Sequence, residues 1–257
     1  MSIKFTILGC GSSLGVPRID GFFGNCNPNE PKNYRTRCSA LIKTKNTYTL
    51  IDTSPDIKIQ LLKNKVKKID RVLYSHLHAD QTHGINEMRF FYLKKKNKIP
   101  VYADLRTKKY LISNFNYCFK KTFEYPPVLS MNLLKKKHLF KDDKDKLSIR
   151  SVKVRHGSIE SVAFIINKSC AYISDANKIY AKDLNYFKNL NYFIVDCLRY
   201  NPHPSHFNLE NVLNLIKLVK PSKTILTNLN NELDYNELKK KLPKNVYPAY
   251  DGMSFSI

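Results

Sequence analysis

The chain has 257 residues, of which 42% are hydrophobic and 25% charged, a balance that supports a buried core and excludes collagenous, low-complexity or disordered classes. No apolar run approaches the ~20 residues that a membrane-spanning helix needs. Lys and Arg number 44 against 21 Asp and Glu, a formal net charge of +23, which is compatible with an anionic partner. Lysine and asparagine are spread over every segment, however, so the charge reads as general composition at least as much as a binding surface.

The opening M-S-I-K-F-T-I-L-G-C-G has no long apolar core and no cleavage site and reads as a first strand over 3–8, with a cytosolic location expected. The run G-C-G-S-S-L-G lacks P-loop spacing and reads as a tight turn. Strands are expected at 38–43 and 47–51, a helix at 56–64, and a buried strand at 69–75 (I-D-R-V-L-Y-S). A helix is expected to start from Gly84 and run over 85–94, then a strand at 101–102 and a helix at 107–115. In the second half, strands fall at 148–154, 162–166, 171–173 and 192–195, and helices at 209–219 and 235–241 bracket a strand at 223–226. Strands mixed with helices in both halves predict an α/β architecture of two sheets covered by helices on each outer face, within one domain spanning 1–257. The six cysteines are scattered without C-x-x-C spacing, several in apolar runs, the usage expected of reduced, buried thiols. The basic runs at 63–68, 94–98 and 135–138 flank predicted elements and do not interleave with aromatics.

The densest chemistry lies in H-L-H-A-D-Q-T-H, from His76 to His83, where three of the chain's 7 histidines occur. It follows a predicted strand and precedes a predicted helix, so the i, i+2 side chains can enter one cleft. Neutral imidazoles with a carboxylate are the donor set of borderline divalent cations such as zinc. A histidine-rich turn without metal is the plain alternative, and the crowding of histidines argues against it.

This segment resembles the H-x-H-x-D-H signature of the metallo-β-lactamase-fold hydrolases, with Gln81 where the last histidine is expected. The match continues in order through I-L-G-C-G-S-S-L-G-V-P (7–17), R-C-S-A-L-I (37–42), L-I-D-T-S-P-D (50–56), R-H-G-S (155–158), Y-I-S-D (172–175) and P-A-Y-D-G-M (248–253). It covers nearly the whole chain and is nearest to the PhnP-like phosphoribosyl cyclic phosphodiesterases, with the tRNA 3′-end nucleases as more distant relatives. The resemblance implies a four-layer αβ/βα sandwich with a metal site along one edge, where strand-end loops converge.

It also implies roles for individual residues. His76, His78, His156 and the bridging Asp175 would hold a first metal, zinc by preference. Asp80 would serve a second metal and orient the attacking water. The two histidines expected at that second position are Gln81 and, in L-T-N-L, Asn228. Amide oxygens are harder and weaker donors, so a weak second site for manganese or magnesium is expected there, or none, with His83 and Asn231 as alternative donors. In R-Y-N-P-H-P-S-H-F (199–207), His203 and His206 resemble the family's phosphate-contacting H-x-x-H, His206 being the expected general acid. Asp52 and Ser54 read as supports near the metal edge. The group's structural-zinc cysteine cluster is reduced here to Cys26, with Cys38 downstream, which argues against that zinc.

The expected activity is therefore a metal-dependent phosphodiesterase in which a metal-bound hydroxide attacks a small cyclic or diester phosphate. An RNA-processing nuclease is favoured by the charge but opposed by the lack of a long basic insertion for gripping tRNA. A thioester hydrolase is a further alternative, as is a non-catalytic metal-binding protein, against which Asp80 argues. The expected partner is a small anionic phosphate ester, with nucleic acid less favoured, no membrane, and a homodimer compatible.

Overall fold

The computed structural model describes residues 3–121, 125–142 and 145–257. In the first half, β1 (Lys4–Gly9), β2 (Ser39–Lys43) and β3 (Tyr48–Ile51) pair antiparallel, and β4 (Arg71–Leu73), β5 (Ile99–Ala103) and β6 (Leu129–Leu133) add on in parallel. In the second half, β7 (Lys137–Asp142), β8 (Asp145–His156), β9 (Ile159–Ile166) and β10 (Cys170–Ile173) are antiparallel neighbours. They are followed in parallel by β11 (Tyr192–Asp196), β12 (Lys223–Thr227) and β13 (Val246–Pro248). The last strand, β14 (Ser254–Ser256), returns to pair with β1, giving two seven-stranded sheets.

Two-residue periodicity decides which side chains meet. Along β11, Ile194 points between the sheets with Phe5, Ile42 and Tyr172, while Phe193 and Val195 point outward. That outer face is covered by α6 (Leu209–Val219), whose Val212, Leu215 and Val219 recur at helical spacing and form its apolar stripe. Asn208 caps α6 in a reciprocal box with Asn211, and Lys220 ends it in a left-handed turn before Pro221. Each buried aliphatic side chain on such a face contributes about 1.5–3 kcal/mol. The first sheet is covered likewise: Leu50, Val72 and Tyr74 pack on Ile57 of α1 (Ile57–Lys63), Met88 and Phe91 of a longer helix at Met88–Lys95, and Leu111 of another at Leu105–Asn114. The result is the four-layer αβ/βα sandwich.

The predicted strands of both halves are present, but four short ones were not expected: β6, β7, β13 and β14. β7 sets an exposed Leu139 between Lys137 and Lys141, and β13 and β14 have three residues each, so pairing with a neighbour defines them and their own pattern does not. Helix formation also begins earlier than Gly84. A single turn, α2 (Ala79–Thr82), is built from the histidine motif itself, with a 3-10 turn at Ile85–Glu87 before α3 (Met88–Lys95). The lysines do meet aromatics through tertiary packing, as where Lys32 Nζ lies over the rings of Tyr235 (4.5 Å) and Tyr250 (5.2 Å). Among the described residues, no helix is long and apolar enough to cross a membrane.

Candidate metal centre

The parallel strands β3, β4, β10, β11 and β12 end on one edge, and the chemistry-bearing residues follow their last positions. Ile173, Val195 and Leu226 are in register across β10, β11 and β12. One or two residues further on stand Asp175, Asp196 and Asn228, side by side. Asp52 and His76 follow β3 and β4, and His156 is the last residue of β8. Carboxyl ends of parallel strands are where open α/β sheets place their ligands.

The local supports of each histidine select its free nitrogen. Asp52, in left-handed backbone at φ 62, accepts from Ser75 N and from Ser75 Oγ, both at 2.7 Å. With its proton committed to Asp52, Ser75 Oγ accepts from His76 Nδ1 at 3.0 Å, which leaves Nε2 of His76 as a lone pair. His156 Nδ1 donates to the carbonyl of Ser205 at 2.7 Å, so its Nε2 is also an acceptor. His78 enters from the extended residue ahead of α2, and Thr82 Oγ1 donates back to its carbonyl at 2.9 Å. Gly84 lets this turn lie against the Ser54 backbone, since a Cβ there would sit 2.0 Å from Ser54 O.

His78 Nδ1 lies 3.0 Å from His76 Nε2 and 3.3 Å from His156 Nε2. Tetrahedral zinc with bonds of 2.0–2.1 Å separates its nitrogen ligands by about 3.3 Å, so the three donors fit such an ion. Burial pushes His76 down to about 3 and also lowers His78, keeping both neutral, as ligands must be. Donor atoms of His156, Asp175 and His206 lie within 4.8 Å of one another. Burial alone would raise Asp175, but the charged His206, its Nδ1 4.0 Å from Asp175 Oδ1, holds its carboxyl below the ordinary value. Burial, and then the charge of Asp175, raise Asp80.

On the far side of Asp175 the donors are amides. Gln81 Nε2 lies 3.2 Å from Asp175 Oδ2 and 3.4 Å from Asp80 Oδ2. Asn228 Nδ2 lies 3.4 Å from Asp175 Oδ1 and 3.1 Å from Asp196 Oδ1. Both residues thus present nitrogen, where the sequence led us to expect oxygen. His206 Nδ1 is 2.7 Å from Asp196 Oδ2 and its ring is 4.7 Å from that of His156. Burial opposes a charged His206, yet the Asp196 carboxylate holds it up to about 9, while burial pushes Asp196 up to about 6. At neutral pH the two form an imidazolium–carboxylate pair.

These residues open onto a cavity of about 360 Å³, which His78, Asp80, His203 and His206 line together with Ser12 and Arg18. The His203 ring is 5.0 Å from that of His206, so both histidines of the H-x-x-H segment reach the cavity. His83 does not: its ring packs on Phe115 at 5.3 Å. Asn231 lines the cavity wall, and its carbonyl is held by Asn25 and the Cys26 thiol. Cys38 lies elsewhere, against Gly11 O and Thr227, and all six cysteines are buried and free. Ser54 accepts from Asp56 N at the start of α1. Sequence reasoning missed Asp196, Ser75 and the Ser205 carbonyl. Asp196 carried one legible signal, a carboxylate closing an apolar strand (F-I-V-D-C), as Asp175 follows Y-I-S.

A family model described as "Beta-lactamase superfamily domain" matches residues 47–227. A Porphyromonas gingivalis (strain ATCC BAA-308 / W83) protein named octanoyltransferase is 27% identical over 254 residues, which cover 98% of this chain and 51% of that protein. The chain therefore spans about half the length of that relative. Among solved structures, a diphosphatase from the PhnP family superposes with a TM-score of 0.89 at 28% identity, over 100% of this chain and 98% of that one. Human tRNase Z, short form, superposes with a TM-score of 0.71 at 16% identity over 99% of each chain, a likeness of fold.

Proposed function

This chain belongs to the beta-lactamase superfamily as a hydrolase of the metallo-β-lactamase fold, and from that premise we propose that it cleaves a small phosphodiester or diphosphate with a divalent metal ion. The carrying observation is the His206–Asp196 pair, set beside the three-histidine cluster and across Asp175 from Gln81. A protein that only stored metal would have no use for a proton donor there.

A divalent ion held by His76, His78, His156 and Asp175 would supply Lewis-acid polarisation of the phosphoryl group and a more acidic water. Asp80, on the cavity wall, orients that water and accepts its proton. His206, its Nδ1 tied to Asp196, gives the proton on its remaining nitrogen to the departing oxygen. Asp196 keeps the ring oriented and stabilises its charge until transfer. On the same cavity, Arg18 supplies positive charge and His203 a hydrogen bond to the substrate's other phosphate oxygens. A cavity of this size holds a small ester whole, which supports the small-molecule reading.

The test is a substrate panel on metal-loaded protein. It contains a cyclic ribose phosphate, an aryl phosphodiester, a dinucleoside diphosphate, a short RNA, and an acyl thioester because of the relative named octanoyltransferase. Turnover of the phosphate substrates is expected. Turnover of the thioester alone, or of none, would refute the proposal.

A further inference from the structure

We infer that this centre works with a single metal ion, and that the amide hydrogens of Gln81 and Asn228 take the place of a second cation. The inference rests on the metal-site reading above and concerns how many ions the site holds. Asp175 is buried, and a buried carboxylate needs either a cation or hydrogen-bond donors on each oxygen. Here both oxygens have donors: Gln81 Nε2 on Oδ2 at 3.2 Å and Asn228 Nδ2 on Oδ1 at 3.4 Å. The same two nitrogens also serve Asp80 Oδ2 at 3.4 Å and Asp196 Oδ1 at 3.1 Å. The two amides therefore link Asp175 to Asp80 and to Asp196, the last already paired with His206.

Turning the amides round to make them ligands would break these hydrogen bonds. A reversed Gln81 would set its oxygen against carboxylate oxygens of both Asp175 and Asp80, acceptor against acceptor. In the orientation observed, Gln81 Oε1 is buried without a hydrogen-bond partner among the described residues, and burying it so leaves the nitrogen facing the carboxylates. Asn228 is held in left-handed backbone at φ 60, a conformation that asparagine tolerates better than most residues; a reversed amide there would lose Asp175 and Asp196, although its oxygen could accept from His206 Nδ1, 3.1 Å from the present nitrogen. With His206 Nδ1 tied to Asp196 and His156 given to the first ion, what remains for a second ion is Asp80 and a shared oxygen of Asp175. Catalytic zinc sites use three protein ligands, so two carboxylates fall short. Gln81 and Asn228 thus act as positioning residues for Asp80 and Asp175.

The experiment counts metal. Metal-free full-length protein is titrated calorimetrically with Zn²⁺ and separately with Mn²⁺, each with and without inorganic phosphate, and metal content is measured after dialysis. One equivalent is expected under all four conditions. Two equivalents in the unmodified protein, even only with phosphate present, would overturn the inference while leaving the hydrolase reading intact; zero equivalents would overturn both. The double variant Gln81→His/Asn228→His should gain a second Zn²⁺ equivalent while retaining the first, the retained first equivalent showing that the fold survives. A folded double variant that still takes one equivalent would remove the amides as the cause and sink the proposal. Should the double variant fail to fold, the count in the unmodified protein decides alone.

Discussion

Asp52 accepts both the backbone N–H and the hydroxyl of Ser75, each at 2.7 Å, and so turns the hydroxyl oxygen toward His76 Nδ1 as an acceptor. The pair sets which nitrogen of His76 faces His78 without touching that nitrogen. Supports of this kind are worth about 10–100-fold in metal affinity. Ser75→Ala should therefore weaken zinc binding by about that factor, read in competition with a chromophoric chelator. An unchanged affinity would mean that burial alone orients the ring.

The His206–Asp196 pair leads to a comparison between leaving groups. His206→Ala should lower turnover of an alkyl phosphodiester by about 10²–10⁴-fold and that of a nitrophenyl diester much less, because a good leaving group needs little protonation. Bound metal should stay constant. Asp196→Asn should follow the same ordering with a smaller loss, since the ring remains but its charge is no longer balanced. Loss of metal in His206→Ala would make His206 a ligand and remove its role as acid.

Away from the site, Asp70 accepts from Tyr48 N at 2.8 Å, contacts Lys95 and lies 3.6 Å from Lys68. Burial works against its ionised form, but the Lys95 contact and the Tyr48 N–H outweigh it, leaving its carboxyl below the ordinary value. A depressed folded-state pKa means stability that is present above the unfolded value and lost as pH falls through the folded one. Asp70→Asn should cost about 1 kcal/mol at pH 7, measured by urea unfolding, and the gap should close in strong acid. A gap that persists there would assign the effect to the Tyr48 hydrogen bond and not to charge.

Gly84 has an ordinary negative φ of −88, so its requirement is space alone. Its missing Cβ would meet backbone, Ser54 O at 2.0 Å and Ser54 C at 3.0 Å, where little can yield. Gly84→Ala should destabilise the protein by about 1–3 kcal/mol, seen as a lower melting temperature. It should also weaken zinc binding, since α2 carries Asp80 and Gln81 and follows His78. A melting temperature equal to that of the unmodified protein would show that the loop has slack.

Local pattern in the chain specifies those parts of the protein that need no distant partner. The apolar run Phe193, Ile194 and Val195 marked a buried strand, and the three-four spacing of Val212, Leu215 and Val219 marked a helix. His76, His78 and Asp80 declared a metal-binding loop through residue type and spacing, within the reach of a single turn. The tertiary structure alone decided what crosses between segments. Gln81 and Asp175 are 94 residues apart, and His156 and Ser205 are 49 apart, so nothing in either neighbourhood announces the other. Which end of an amide points inward, which nitrogen of a histidine stays free, and whether three residues such as Ser254–Ser256 become a strand are settled by the partner that closing the two sheets supplies. The physical reason is that hydrophobic period is a property of a segment, whereas a buried hydrogen bond is a property of a pair.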